Sequence, residues 1–252
     1  MNIKWDAQGY TANFSFVHQY GGDLLNLLRI EPGMTCLDLG CGNGALTAKL
    51  AEAGLRTIGL DASPELLAIA REQHPDIRFI EGDATDFRLD EPVDIIFSNA
   101  VFHWIDAARQ SALLDCINAA LKPGGQFVFE FGGKGNNALI HAALARAFAA
   151  RRRAYVMPFY FPSVGEYAPM LERAGFRVEY TALFDRPTLL KGDDGLADWI
   201  RMFVKTPFSG VPADEADAII REAAASLAPD LRRDGDWYAD YVRIRCKASK
   251  IN

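Results

Sequence analysis

Residues 35–44 read Thr-Cys-Leu-Asp-Leu-Gly-Cys-Gly-Asn-Gly, a short apolar strand that runs straight into a glycine-dense turn. A helical pattern over 45–53 follows at once. Strand, tight glycine turn and helix together bring backbone N–H groups and a helix N-terminus against a nucleotide-like ligand. Gly40, Gly42 and Gly44 are spaced G-x-G-x-G, with Asp38 two residues ahead, which departs from the G-x-G-x-x-G dinucleotide spacing. An acid inside the turn would repel a pyrophosphate. It suits a ligand that is cationic at this end.

Three more features fall at successive strand ends. Asp61, in Gly-Leu-Asp-Ala-Ser, lies about twenty residues on, where an acid can take both ribose hydroxyls. Asp83, in Glu-Gly-Asp-Ala-Thr, can accept from an adenine amino group while the Ala84 N–H donates to the ring. Ser98-Asn-Ala-Val-Phe-His-Trp104 closes the fourth strand. Each acid alone can equally be a helix or turn cap. In order, at the right boundaries, they define a site whose cofactor side comprises Asp38, Gly40, Gly42, Asp61, Ala62, Asp83, Ala84 and Asn99.

The elements that must position these residues alternate. Strands are expected at 56–61, 77–81, 93–98 and 126–131, with helices from Ser63-Pro64 to about 73 and over about 106–121, and a turn at 122–125. This rhythm predicts an α/β fold, a doubly wound parallel sheet with helices on both faces. Later come a long alanine-rich helix (136–153), an aromatic, proline-bearing loop (155–162), a helix (163–174) stopped by Gly175, and strands at 176–184 and 237–248. Residues 186–235 hold two further helical patterns, too long for a connection, and are expected to cap the sheet.

Asp38-x-Gly40-x-Gly42-x-Gly44, Asp61, Gly82-Asp-Ala84 and Leu121-Lys-Pro-Gly-Gly125 resemble class I S-adenosylmethionine-dependent methyltransferases. Within them the chain is similar to the trans-aconitate methyltransferase group, through Trp5-Asp-x-x-x-Tyr10 and Asn99-Ala-x-x-His103-Trp104, where the group usually has glutamine at the place of His103. The resemblance implies S-adenosylmethionine as cofactor and a Rossmann-like, seven-stranded, mostly parallel sheet whose final strand is antiparallel. It also implies that the glycine turn serves the amino-acid end of the cofactor, and that Asp61 and Asp83 serve ribose and adenine. The expected organisation is an N-terminal helical segment over the cofactor site (1–30), the core (31–185), a helical cap inserted before the last strand (186–236) and that strand (237–252).

The methyl-facing position after the fourth strand belongs to His103, which can act as a general base or as a hydrogen-bonded wall residue. Tyr10, Phe14, His18, Phe102, Trp104, Tyr160 and Trp199 are the expected substrate wall, part of a wider aromatic set outside the sheet. Arg186 and Arg201 are either carboxylate clamps or surface residues.

Lys+Arg 27 against Asp+Glu 33 gives net charge −6, which argues against a nucleic-acid partner. Arg151-Arg-Arg153, the dense basic run, suits a helix C-terminus. The four cysteines form no C-x-x-C pair, so no metal site is expected. The N-terminus has no apolar signal region and no run spans a bilayer, so a cytoplasmic protein without a membrane partner is expected. The expected activity is methyl transfer to an oxygen, chiefly a carboxylate, or a nitrogen of a small-molecule acceptor. The alternatives are a non-catalytic S-adenosylmethionine-binding protein, a cyclopropane-forming lipid enzyme and, disfavoured by the glycine spacing, a nicotinamide oxidoreductase.

Overall fold

The computed structural model describes residues 22–251. The first half contains β1 (Thr35–Leu39), α1 (Ala45–Glu52), β2 (Arg56–Asp61), α2 (Pro64–Gln73), β3 (Arg78–Glu81) and β4 (Val93–Asn99). Then come α3 (Gln110–Ala120), β5 (Leu121–Gly132), α4 (Ala138–Ala150), α5 (Val164–Arg173) and β6 (Phe176–Asp185). The chain continues through β7 (Thr188–Leu190), α6 (Gly195–Phe203), α7 (Ala213–Leu231), β8 (Arg232–Arg233) and β9 (Asp236–Ala239), and ends on β10 (Val242–Lys250).

Seven strands form one sheet in the order β3-β2-β1-β4-β5-β10-β6. The first five are parallel, and β10 runs antiparallel to both β5 and β6. This is the expected Rossmann-like sheet. Chain order reverses between β1 and β4, so the crevice beyond their C-terminal ends is where a ligand fits.

Strands covered on both faces must be apolar on both faces, and β4 shows this. Ile95 and Phe97 pack with Leu24, Cys36, Leu46 and Leu50, while Ile96 packs with Phe127 and Phe129 on the other side. Alternate residues of β5 stack as a ladder, with the Phe127 and Phe129 rings 4.5 Å apart and those of Phe129 and Phe131 5.9 Å apart. Each fully buried ring contributes roughly 1.5–3 kcal/mol. Helix starts follow their capping residues. Ser63 accepts from Leu66 N at 3.3 Å, with Pro64 at the first position, and Ser163 with Glu166 closes a reciprocal capping box on α5.

The structure differs from the sequence expectations at three places. Residues 122–125 form no separate turn; they are an irregular start of β5, where pairing with β4 jumps from Val93↔Leu121 to Ile95↔Gln126 around Gly124 (φ 72°). The expected strand 237–248 splits in two. Asp240 turns out of the ladder to serve the start of α4, accepting from Leu139 N through its carboxylate (2.8 Å) and from Asn137 N through its carbonyl (2.8 Å). Trp237 therefore belongs to a second, three-stranded sheet, β7-β9-β8, and the last strand of the core begins at Val242.

The cap is also larger than 186–236, because α4 joins it. Ile140, Leu144 and Phe148 share an apolar core with Leu196, Trp199, Ile200, Ile219 and Leu227. Arg151 and Arg153 pair with Glu222 (2.8 Å) and Glu215 (2.7 Å), so the basic run ties α4 to α7. Of the segment 1–30, residues 1–21 lie outside the described residues. Residues 22–25 form a helical turn whose Leu24 is buried on a face of the sheet.

Candidate active site

Gly40, Gly42 and Gly44 all have positive φ (79°, 55° and 80°). Gly40 also has no room for a side chain, since a Cβ would stand 2.2 Å from Cγ2 of Val101. The amides of Gly40 and Cys41 both donate to Leu60 O, at 2.7 and 3.1 Å. Asp61 completes the tie: Gly42 N donates to Oδ2 at 2.9 Å and Ser63 N to Oδ1 at 2.8 Å. The end of β2 thus fixes the turn that leaves β1.

A cavity runs along these strand ends, lined by Gly40, Gly42, Asp61, Ala62, Asp83, Ala84 and Asn99. Asn99 is followed by Ala100, a non-glycine residue held at φ 62° on the cavity wall. Strained backbone of this kind collects at functional sites. Burial pushes the Asp61 carboxyl up, against the amides of Ser63, Gly42 and Ala62 that pull it down. Partial burial would raise Asp83 too, but the Thr85 amide, Arg109 and the Thr85 hydroxyl prevail and hold it at about 2. Arg109 Nη2 lies 2.9 Å from Asp83 Oδ2 and also bonds Thr85 Oγ1.

Asp38 stands apart from the other expected cofactor residues. It is buried behind the turn rather than on the cavity wall, and Thr47 Oγ1 donates to its Oδ2 at 2.6 Å. Burial lifts its carboxyl to about 7 despite that bond, with the Asp61 charge adding to the rise.

Beyond the cofactor end the same cavity opens into an aromatic chamber. His103 and Trp104 enter from a short 3₁₀ turn after β4, Phe159 and Phe161 from the loop before α5, and Trp199 and Phe203 from α6. Tyr241, Arg243, Asn136 and Asn137 complete the wall. The Phe159 and Phe161 rings stack at 5.4 Å, and Trp104 meets Phe159 edge-on at 4.9 Å. Trp199 Nε1 donates to the Tyr241 hydroxyl at 2.6 Å.

The His103 ring is neutral and its tautomer is fixed by geometry. Gly132 N donates to Nδ1 at 3.3 Å, so the single proton of the neutral imidazole sits on Nε2. Burial, reinforced by the Arg243 charge, holds this imidazole well below its usual value. Gln110 positions the turn that carries His103. Its Nε2 donates to the carbonyls of Phe102 (2.9 Å) and Ile105 (2.8 Å), and Tyr167 donates to its Oε1 at 3.1 Å.

Two residues expected on the substrate wall are elsewhere. Phe102 is 1 % exposed and packs into the β5 ladder, 5.3 Å from Phe129 and 5.5 Å from Phe131, because the 3₁₀ turn sends it down while His103 and Trp104 face the cavity. Tyr160 points away from the chamber to Met170 Sδ (3.8 Å), since an extended segment alternates and Phe159 and Phe161 take the inward positions. The Tyr160 amide still donates to His103 O at 3.1 Å. Tyr10, Phe14 and His18 lie outside the described residues.

Neither expected arginine clamp faces the chamber. Arg186 pairs with buried Glu130, which Arg245 Nε also bonds at 2.7 Å, and Arg201 pairs with Asp198 and Asp217 on the cap surface. The arginine on the wall is Arg243, which the sequence reading missed together with Asn136, Asn137, Tyr241 and Arg109. A signal was present in β10: Arg243, Arg245 and Lys247 alternate with the buried Ile244, Cys246 and Ala248. Among the described residues no cluster could hold a metal ion, and no helix is long and apolar enough to cross a membrane.

The glycine turn, two acids on successive strand ends and a seven-stranded sheet with a reversed last strand define an S-adenosylmethionine-dependent methyltransferase, and the chain belongs to that family. Residues 36–125 match the family model described as a methyltransferase domain. An uncharacterised methyltransferase of Schizosaccharomyces pombe is 34% identical over 98% of this chain and 98% of its own. A trans-aconitate 2-methyltransferase of Methylobacterium nodulans is 30% identical over 95% of this chain and 96% of its own. Among solved structures, a protein from Bacillus halodurans shares this fold, superimposing with a TM-score of 0.64 at 18% identity and covering 92% of this chain and 98% of that one.

Proposed function

We propose that the protein methylates a carboxylate oxygen of a small acid. The observation that carries this reading is the bond from Gly132 N to His103 Nδ1. With Nδ1 occupied and the proton on Nε2, the histidine donates into the chamber and does not accept a proton from a nucleophile. Tyr241 accepts from Trp199, Arg243 cannot lose its proton, and Asp106 is an exposed residue at the margin. A nucleophile that needs deprotonation finds no base among these described residues. A carboxylate arrives already ionised. One relative is a trans-aconitate 2-methyltransferase, which fits the same chemistry.

The donor set suits the cofactor. Two carboxylates and a glycine turn offer acceptors to ribose and adenine; Asp38, behind the turn, would favour a cationic amino-acid end when it is ionised. S-adenosylmethionine supplies, when bound, a methyl group already activated on a sulfonium. What remains for the chain is orientation and exclusion of water. Asp61, Asp83, Ala62, Ala84 and Asn99 would hold the nucleoside; Trp104, Phe159, Phe161, Trp199 and Phe203 would keep the chamber dry; His103 Nε2–H would orient the acceptor.

The test is to incubate the protein with methyl-labelled S-adenosylmethionine and a panel of small di- and tricarboxylic acids, trans-aconitate included. Label should appear in an organic-extractable ester of at least one acid. Label confined to amines or hydroxyl compounds would sink the carboxylate reading.

A further inference from the structure

Arg243 brings a positive charge into a largely aromatic chamber, and methyl transfer as described above gives it no task. It is 8 % exposed and lines the cavity. Its guanidinium lies over the Tyr241 ring, 4.2 Å from the centroid, and Nη1 donates to Asn136 Oδ1 at 3.4 Å. Asn136 Oδ1 is itself fixed by Val242 N at 3.0 Å. Ring stacking and the Asn136 carbonyl therefore set the plane of the guanidinium before any ligand arrives. A planar guanidinium held at the cavity wall matches a carboxylate.

A second polar group lies at the same wall. Asn137 is 2 % exposed, lines the cavity and is held at φ 54°, yet its Oδ1 is buried with no hydrogen-bond partner. That oxygen can only accept, so what completes it is a donor such as a hydroxyl, an amide or water, and the case for an anionic group rests on Arg243. The N-terminus of α4 is not the source of the anion preference, because the Asp240 carboxylate already accepts from Leu139 N there.

We propose that Arg243 is the specificity-determining residue of the acceptor chamber, where it grips an anionic oxygen group of the acceptor other than the one that is methylated. The distinction follows from chemistry: guanidinium N–H donors draw electron density from the oxygens they hold and blunt them as nucleophiles. His103 Nε2–H remains to orient the reacting group. The inference rests on the proposed function, since it supposes that the acceptor sits in this chamber.

The experiment titrates protein saturated with S-adenosylhomocysteine with succinate, fumarate and trans-aconitate, and with the neutral trimethyl ester of trans-aconitate, by calorimetry. Wild type, Arg243→Lys and Arg243→Met are compared, and melting temperatures report folding. Loss of a charge-assisted pair predicts a drop of ~10-fold or more in acid affinity for Arg243→Met and a smaller one for Arg243→Lys. Binding of the neutral ester and of S-adenosylhomocysteine should stay unchanged. Equal acid affinity in Arg243→Met overturns the proposal, as does wild type that binds none of the acids. In that second case, retained S-adenosylhomocysteine binding leaves the methyltransferase assignment standing. If Arg243→Met does not fold, Arg243→Lys decides alone, and unchanged acid affinity in it overturns the proposal.

Discussion

Val101 stands against Gly40 so closely that a Cβ on Gly40 would lie 2.2 Å from its Cγ2. The residue that leaves β4 thereby braces the turn that leaves β1. Gly40→Ala should destabilise the protein by about 2–5 kcal/mol in urea unfolding, from steric overlap plus the φ of 79°. Adding Val101→Ala should recover part of the loss and leave the backbone part. Wild-type stability in Gly40→Ala would contradict this.

Asp38 predicts a stability that depends on pH with a definite sign. Its folded carboxyl titrates at about 7, above its unfolded value, so the native state binds the proton more tightly. Stability from this group is full at low pH and falls by up to about 1.4 kcal/mol per unit between roughly pH 4 and 7. Asp38→Asn should therefore gain on wild type as pH rises through that window, while cofactor affinity drops ~10-fold from loss of the charge. Parallel stability curves would show that the buried charge is not the cause.

Gln110 holds the turn that carries His103 through two carbonyl bonds. Gln110→Leu leaves both acceptors without their donor and should cost about 1–3 kcal/mol. Turnover should fall while S-adenosylhomocysteine affinity stays within twofold. A matched loss of both would mean that the turn also shapes the cofactor end.

Because the His103 pKa is depressed, the ring gains a proton only in acid, and kcat at saturating S-adenosylmethionine should show no inflection from this ring between pH 6.5 and 8.5. His103→Gln keeps an N–H donor and should lose less than ~10-fold in kcat, whereas His103→Phe should lose more. A rate that rises through a pKa near 6.5 would restore the base role.

The Asp83–Arg109 pair is half exposed, so its loss should barely move the melting temperature. Asp83→Ala should nonetheless weaken cofactor binding. Unchanged affinity would remove the adenine assignment.

The cofactor half was legible because its residues sit at strand ends that hydrophobic periodicity locates, and glycine spacing reports directly on backbone shape. The acceptor half was legible only in composition. Which aromatic faces inward at 159–161 depends on a one-residue phase, and Tyr160 fell on the wrong side. Phe102 was drawn into the Phe127–Phe131 ladder by packing that no local signal reports. Arg243 was hidden because β9 and β10 read as one strand, and the break depends on Asp240 reaching a helix a hundred residues earlier.

The account stands or falls on the bond that the transferred methyl group makes. Labelled product from the acid panel should be treated with mild alkali. Release of the label as methanol marks a carboxylate ester and matches a chamber without a base. Label that survives alkali marks an ether, amine or carbon bond, and would contradict the account.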